Sequence, residues 1–181
     1  MSLFINRTEE LEFLEAEYAR DSSSLVVIYG RMRVGKTELS LKFATGKPAV
    51  YYLSQKLDLE RQVEDFLEKA AEQLGTYQPK ITKWDAALKF VAEQAEGKSL
   101  IIIDEVPYLI EGSSAVMSAF QAAWDLYLKD ANVMLVLLGS SVGGLFSPEF
   151  EKAPWSIAKL IDLLKHLVVP AIVLAWSATA L

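Results

Sequence analysis

Residues 30–37 read Gly30-Arg31-Met32-Arg33-Val34-Gly35-Lys36-Thr37, a complete G-x-x-x-x-G-K-[ST] pattern. An apolar run, Leu25 to Tyr29, leads directly into it, and a helix-like stretch follows from Thr37. A strand that feeds a glycine-rich turn opening a helix aims several backbone N–H groups, and the positive end of the helix dipole, at one point. That is the chemistry of phosphate binding. Lys36 adds a mobile cation for β- and γ-phosphates, and the Thr37 hydroxyl is placed to ligate Mg²⁺. About 70 residues further on, Leu100 to Ile103 is an apolar strand ending in two acids, Asp104 and Glu105. An acid at the carboxyl end of a buried strand lies on the same sheet edge as such a loop. Asp104 can then hold the magnesium shell, and Glu105 can orient and polarise a water for attack on the γ-phosphorus. Alone, the two acids would read equally well as the start of a solvated loop; paired with the loop, the phosphate reading leads. A third element is Gly139-Ser140-Ser141 at the end of the run Val133–Leu138. Two readings stand side by side here: a serine, Ser140 ahead of Ser141, contacts the γ-phosphate or attacking water, or the serines end a strand for ordinary turn reasons.

Elements must carry these residues. Residues 7–19 predict a first helix, with Thr8 as N-cap, Glu9 and Glu10 in the first turn, and Leu11, Leu14 and Tyr18 on one face. Residues 24–29 predict a strand, and a helix runs from Thr37 to about Thr45 before Gly46 and Pro48 break the chain. Ala49–Leu53 is β-branched and aromatic and reads as a second strand. Leu59, Val63, Phe66, Leu67, Ala70 and Leu74 fall at helical spacing, as do Trp84, Leu88, Val91 and Ala95. Such stripes are core faces far more often than cofactor boxes. Ser99–Ile103 and Val133–Leu138 are continuous apolar strands, and a helix from about Ser114 to Lys129 lies between them. Strands that alternate with helices and stay apolar throughout predict an α/β fold of three layers, a parallel sheet between helices. There is no internal repeat.

Bulk properties narrow the classes. The 181 residues suit one domain, and 52% hydrophobic residues supply a full core. The net charge of −6 gives no global footprint for nucleic acid, although Arg31, Arg33 and Lys36 cluster at the loop. With no cysteine, disulfides, thiolate catalysis and cysteine-based zinc sites are excluded. The first residues lack the basic region and apolar core of a signal peptide, so the expected compartment is the cytoplasm.

Phe4 to Leu11, followed by Val27 to Glu38, resembles the archaeal-type P-loop ATPases related to the AAA+ and STAND groups: an F-x-x-R-x-x-E-L entry segment, then a G-R-R-R-V-G-K-T loop. Val50–Leu53, Ile103–Tyr108 and Leu138–Val142 resemble the later blocks of that family, so the likeness covers residues 3–146. The resemblance implies a P-loop NTPase sheet of strand order 5-1-4-3-2 and an ATP- and Mg²⁺-dependent hydrolase. It implies that Gly30, Arg31, Met32, Arg33, Val34, Gly35, Lys36, Thr37 and Glu38 cradle the nucleotide. It assigns Thr37 and Asp104 to the metal, Glu105 to the catalytic water and Ser140 to γ-phosphate sensing. It also brings Phe4 to Arg7 to the border of the adenine. Position 32 is Met where the family has Arg, and is expected to face away from the phosphate chemistry.

After Phe146 the likeness ends, so residues 1–146 are expected to form the nucleotide-binding core and residues 147–181 an atypical apolar tail. Trp155–Lys165 reads as a short amphipathic helix, and Leu167–Leu181 is nearly all apolar, yet shorter than a bilayer span and broken by Pro170. Three readings of the tail compete: a fifth core strand through Val168–Leu174, an altered or truncated terminus with no selected role, or a segment lying on a membrane or partner surface, with a membrane the weakest of them. His166, the only histidine, reads as an exposed helix residue. Arg61 is the last arginine in these 181 residues. No arginine finger is therefore expected from residues 62–181, which makes Arg31, Arg33, a protein partner or a second protomer in a homo-oligomer the expected source. The same lack argues against a small-molecule kinase. It leaves slow ATP hydrolysis and a nucleotide-dependent switch with little intrinsic hydrolysis as the two readings. Nucleic acid enters through the resemblance alone.

Overall fold

In the computed structural model, residues 7–113 and 115–139 are described in full and 172–177 as backbone. Helix α1 (Thr8–Tyr18) leads to β1 (Ser24–Tyr29), α2 (Lys36–Ala44), β2 (Ala49–Leu53), α3 (Leu59–Leu74), α4 (Trp84–Glu93), β3 (Ser99–Asp104), α5 (Val106–Gly112), α6 (Ala115–Leu126), β4 (Val133–Gly139) and β5 (Ile172–Ser177). The strands form one sheet in the order β2-β3-β4-β1-β5, the expected 5-1-4-3-2. The β2–β3, β3–β4 and β4–β1 pairs are parallel.

The period-two alternation of the strands divides the core. Val26, Ile28, Leu100, Ile102, Met134, Val136 and Leu138 face α1 and α2, packing with Leu14, Leu39 and Phe43. Leu25, Tyr29, Val50, Tyr52, Ile101, Ile103, Leu135 and Leu137 face the opposite layer of α3 to α6. Trp84 anchors that second layer, its ring centroid 4.9 Å from Phe66 and 5.2 Å from Phe120. β3 and β4, between neighbours on both sides and helices on both faces, are buried along their whole length. This is why their sequences carry no polar alternation.

Two expectations change and one element is new. Thr8 was to cap α1, but Arg7 occupies the N-cap position and no side chain caps the helix. The Arg7 side chain is drawn elsewhere, to the carbonyl oxygen of Val34. The fifth strand is Ile172–Ser177 rather than Val168–Leu174, and it pairs antiparallel with β1. An antiparallel neighbour satisfies edge N–H and C=O groups as well as a parallel one. A run of apolar residues therefore fixes neither direction nor register. Helix α5 was not anticipated at all: Pro107 at its start looks like a breaker but suits the first turn, where no N–H is needed. The expected helix over Trp155–Lys165, His166 and the serines Ser140 and Ser141 lie outside the described residues. Among the described residues no helix is long and apolar enough to cross a membrane.

Helix α5 is tied to α3 by the buried side chain of Gln62, whose Nε2 donates to the Leu57 carbonyl at 2.9 Å and the Leu109 carbonyl at 3.3 Å. Gly112 passes against this bridge, and a Cβ there would press on the Leu57 oxygen and on Gln62 Nε2. Gly112→Ala should therefore destabilise the fold by about 2 kcal/mol, the usual cost of overpacking a tight contact. Chemical denaturation of the two proteins measures it.

Candidate functional site

The loop is built by its backbone. Gly35 caps α2 in the left-handed region, at φ 80° and ψ 25°, where a side chain would be strained. Arg33 sits there too, at φ 63°, without glycine's freedom. These two residues turn the chain sharply from β1 into α2. The first intrahelical bond of α2 runs from Leu39 N–H to the Gly35 carbonyl at 3.0 Å. The N–H groups of Lys36, Thr37 and Glu38 therefore have no partner within the helix and stand at its positive end. Lys36 is 6% exposed and folds back over the loop, its Nζ donating to the carbonyls of Gly30 at 2.9 Å and Arg31 at 3.0 Å. Burial lowers its pKa, and the charges of Glu105 and Asp104 oppose that shift. From outside the loop, Arg7 donates through Nη2 to the carbonyl of Val34.

The acids lie at the carboxyl end of β3, next to the loop, as parallel pairing dictates. Asp104 is 2% exposed and accepts three hydrogen bonds. Thr37 Oγ1 donates to Oδ2 at 2.6 Å, Tyr51 Oη donates to the same oxygen at 2.9 Å, and the Glu105 N–H donates to Oδ1 at 2.8 Å. The Tyr51 hydroxyl is held protonated: burial, and then the Asp104 charge, raise its pKa far above the ordinary value. Because Thr37 gives its single proton to Asp104, the lone pairs of Oγ1 remain for a cation. Glu105 adopts left-handed backbone, φ 52° and ψ 46°, and forms the N-cap of α5. For a non-glycine residue this costs about 1–2 kcal/mol and is a mark of functional positions.

A cleft of about 760 Å³ opens beside the loop. Met32, Arg33, Gly35, Lys36, Thr37 and Glu38 form one wall, Glu105 another, and Leu41, Lys42 and Thr45 extend it along α2. Of the residues expected at the site, the structure brings together the loop, Asp104 and Glu105; Ser140 and Phe4 lie outside the described residues. Met32 is 70% exposed and lies on the cleft wall. Tyr51, the loop-holding role of Arg7, and the cleft residues Leu41, Lys42 and Thr45 on and just after α2 were not among the residues expected at the site. Leu41 is a large apolar side chain left 45% exposed beside the cleft, a fact only the structure reveals. Among the described residues no three or more His, Cys, Asp or Glu are grouped so as to hold a metal ion by themselves. The donor set is instead one hydroxyl and a buried carboxylate, hard oxygens that fit Mg²⁺, which takes few protein ligands and completes its shell with phosphate and water.

An uncharacterized protein of Methanocaldococcus jannaschii is 34% identical over 140 residues, covering 77% of this chain and 30% of its own length. An uncharacterized ATP-binding protein of the same organism is 51% identical over 45 residues, 25% of this chain and 76% of its own. Among solved structures, a Walker-type ATPase of Pyrococcus abyssi superposes with TM-score 0.57 at 22% identity, over 77% of this chain and 46% of that one. The Orc1 protein of Aeropyrum pernix, solved in complex with DNA, gives 0.52 at 17% identity, over 88% and 48%. These two share the fold. The chain thus spans less than a third of the first relative and about half of each solved chain. Residues 4–168 match the family described as an ATPase domain predominantly from Archaea, and the chain belongs to that family.

Proposed function

We propose that this domain binds ATP with Mg²⁺ at residues 30–38 and hydrolyses it, with Glu105 orienting the attacking water. One observation carries the reading: Thr37 at the end of the loop and Asp104 at the end of β3 are joined by a 2.6 Å hydrogen bond, so loop, metal donors and Glu105 form one connected site. Phosphates would lie against the N–H groups of the loop and Lys36. Thr37 and Asp104 would hold Mg²⁺, which when bound neutralises charge building on the transferred phosphoryl group. Glu105 is held at the cleft by its strained backbone and by its N–H bond to Asp104. From there it would accept the proton of an in-line water. Residues 1–146 would carry the catalytic groups of this core, and β5 from beyond them completes its sheet. Ser140 would read the γ-phosphate from the end of β4, and an arginine from a partner or a second protomer would speed turnover. The likeness to the DNA-bound Orc1 protein carries the fold and assigns no DNA role here.

Phosphate release tests the reading. Enzyme in excess over ATP should release phosphate in a single turnover, and ATP in excess should show slow steady cycling. Tight ATP binding with no phosphate in either regime would contradict hydrolysis and favour a nucleotide-dependent switch.

A further inference from the structure

Among the described donors to Asp104, Tyr51 is the one that the phosphate-binding pattern does not account for. It sits on β2, at the edge of the sheet, paired in register with Ile102. Alternation puts Tyr51, Ile102 and Asp104 on one face, the face that α1 and α2 cover. A tyrosine side chain leaning along the strand spans the remaining distance, and its hydroxyl reaches Oδ2 of Asp104 at 2.9 Å. The backbone behind it is clamped as well. Gln73, from α3, accepts from the Tyr51 N–H through Oε1 at 2.8 Å and donates to the Tyr51 carbonyl through Nε2 at 2.9 Å. An amide side chain thus closes the open edge of β2 at this residue, where an unpaired strand would otherwise be free to shift. The Asp104 carboxylate is gripped from three directions: from α2 by Thr37, from the turn into α5 by the Glu105 N–H, and from β2 by Tyr51.

We propose that Tyr51 is a positioning residue for the metal site, its hydroxyl fixing the Asp104 carboxylate so that the lone pairs of Thr37 Oγ1 stay turned toward a hard divalent cation. The inference rests on the Mg²⁺·ATP reading above. With Tyr51 removed from it, Oδ2 keeps one donor and the carboxylate can rotate about its side-chain bond. A rotated carboxylate draws the Thr37 proton, and with it the oxygen, away from the metal position. Phenylalanine keeps the ring that packs against the core on the α1–α2 side and deletes the hydroxyl alone.

The test is a titration of Mn²⁺, as a spectroscopic stand-in for Mg²⁺, into protein saturated with a non-hydrolysable ATP analogue, followed by electron paramagnetic resonance. In Tyr51→Phe the Mn²⁺ dissociation constant should rise about tenfold, the scale of one charge-assisted hydrogen bond. The affinity for the analogue in EDTA, which a merely structural role would also weaken, should stay within about twofold of the parent. Unchanged Mn²⁺ affinity in the variant, with a normal Mn²⁺ effect in the parent, overturns the role of Tyr51 and leaves the nucleotide reading standing. An equal loss with and without metal overturns it too, as general loosening. A parent protein in which metal makes no difference to analogue binding overturns both.

Discussion

Lys36→Ala should lower the affinity for ATP by a factor of about 10³, as loss of one partner from a desolvated charge pair costs about 2–5 kcal/mol. Lys36 is the buried cation of the loop, packed to 6% exposure with its ammonium held by two carbonyl oxygens of the same turn. A protein does not keep a charge where burial disfavours it unless something compensates. Two carbonyls and two acids compensate in part, and phosphate oxygens would complete the set. Alanine leaves the loop without a point charge and frees the carbonyls of Gly30 and Arg31, so the turn loosens as well. Isothermal titration with ATP measures the loss, and far-ultraviolet circular dichroism checks that the sheet persists. Binding within about threefold of the parent would contradict the role given to the loop.

Glu105→Gln should leave ATP binding within about twofold and slow hydrolysis by about 10²–10⁴-fold, the range for losing a positioned general base. The substitution suits the question because Gln has nearly the same shape. The Glu105 backbone, not its side chain, makes the N–H bond to Asp104, and the Glu105 carbonyl accepts from Tyr108 N–H at 2.9 Å. Both survive. Only the carboxylate changes, from proton acceptor to amide. Single-turnover phosphate release separates the step from binding. Turnover equal to that of the parent would remove Glu105 from the chemistry and leave the acid as a partner of Lys36 in the loop's charge balance.

The contrast between what the sequence disclosed and what it hid is physical. β1 and β2 were read to the residue, because punctuation by Gly30, Gly46 and Pro48 falls beside β-branched and aromatic runs. The P-loop and the acids at the end of β3 were legible because phosphate chemistry demands particular residue types at short spacing. Tyr51 was not legible, since an aromatic in a strand is explained by strand propensity alone. Its role depends on register, Tyr51 beside Ile102 with Asp104 two residues further on, and pairing between segments 53 residues apart is not written locally. Arg7 was hidden in the same way, its guanidinium reaching a carbonyl 27 residues on. The short helix α5 lacked the length for periodicity to declare it. β5 was expected to be parallel like the rest and is antiparallel, because the same apolar residues satisfy either pairing.

Where a nucleotide lies on this domain decides the site assignment most directly. A crystal structure of the protein with Mg²⁺ and a non-hydrolysable ATP analogue should show the phosphates against residues 30–37, a metal beside Thr37, and the Thr37–Asp104 hydrogen bond kept. Nucleotide density elsewhere on the domain, or phosphates ordered away from Lys36 with no metal at Thr37, would contradict it.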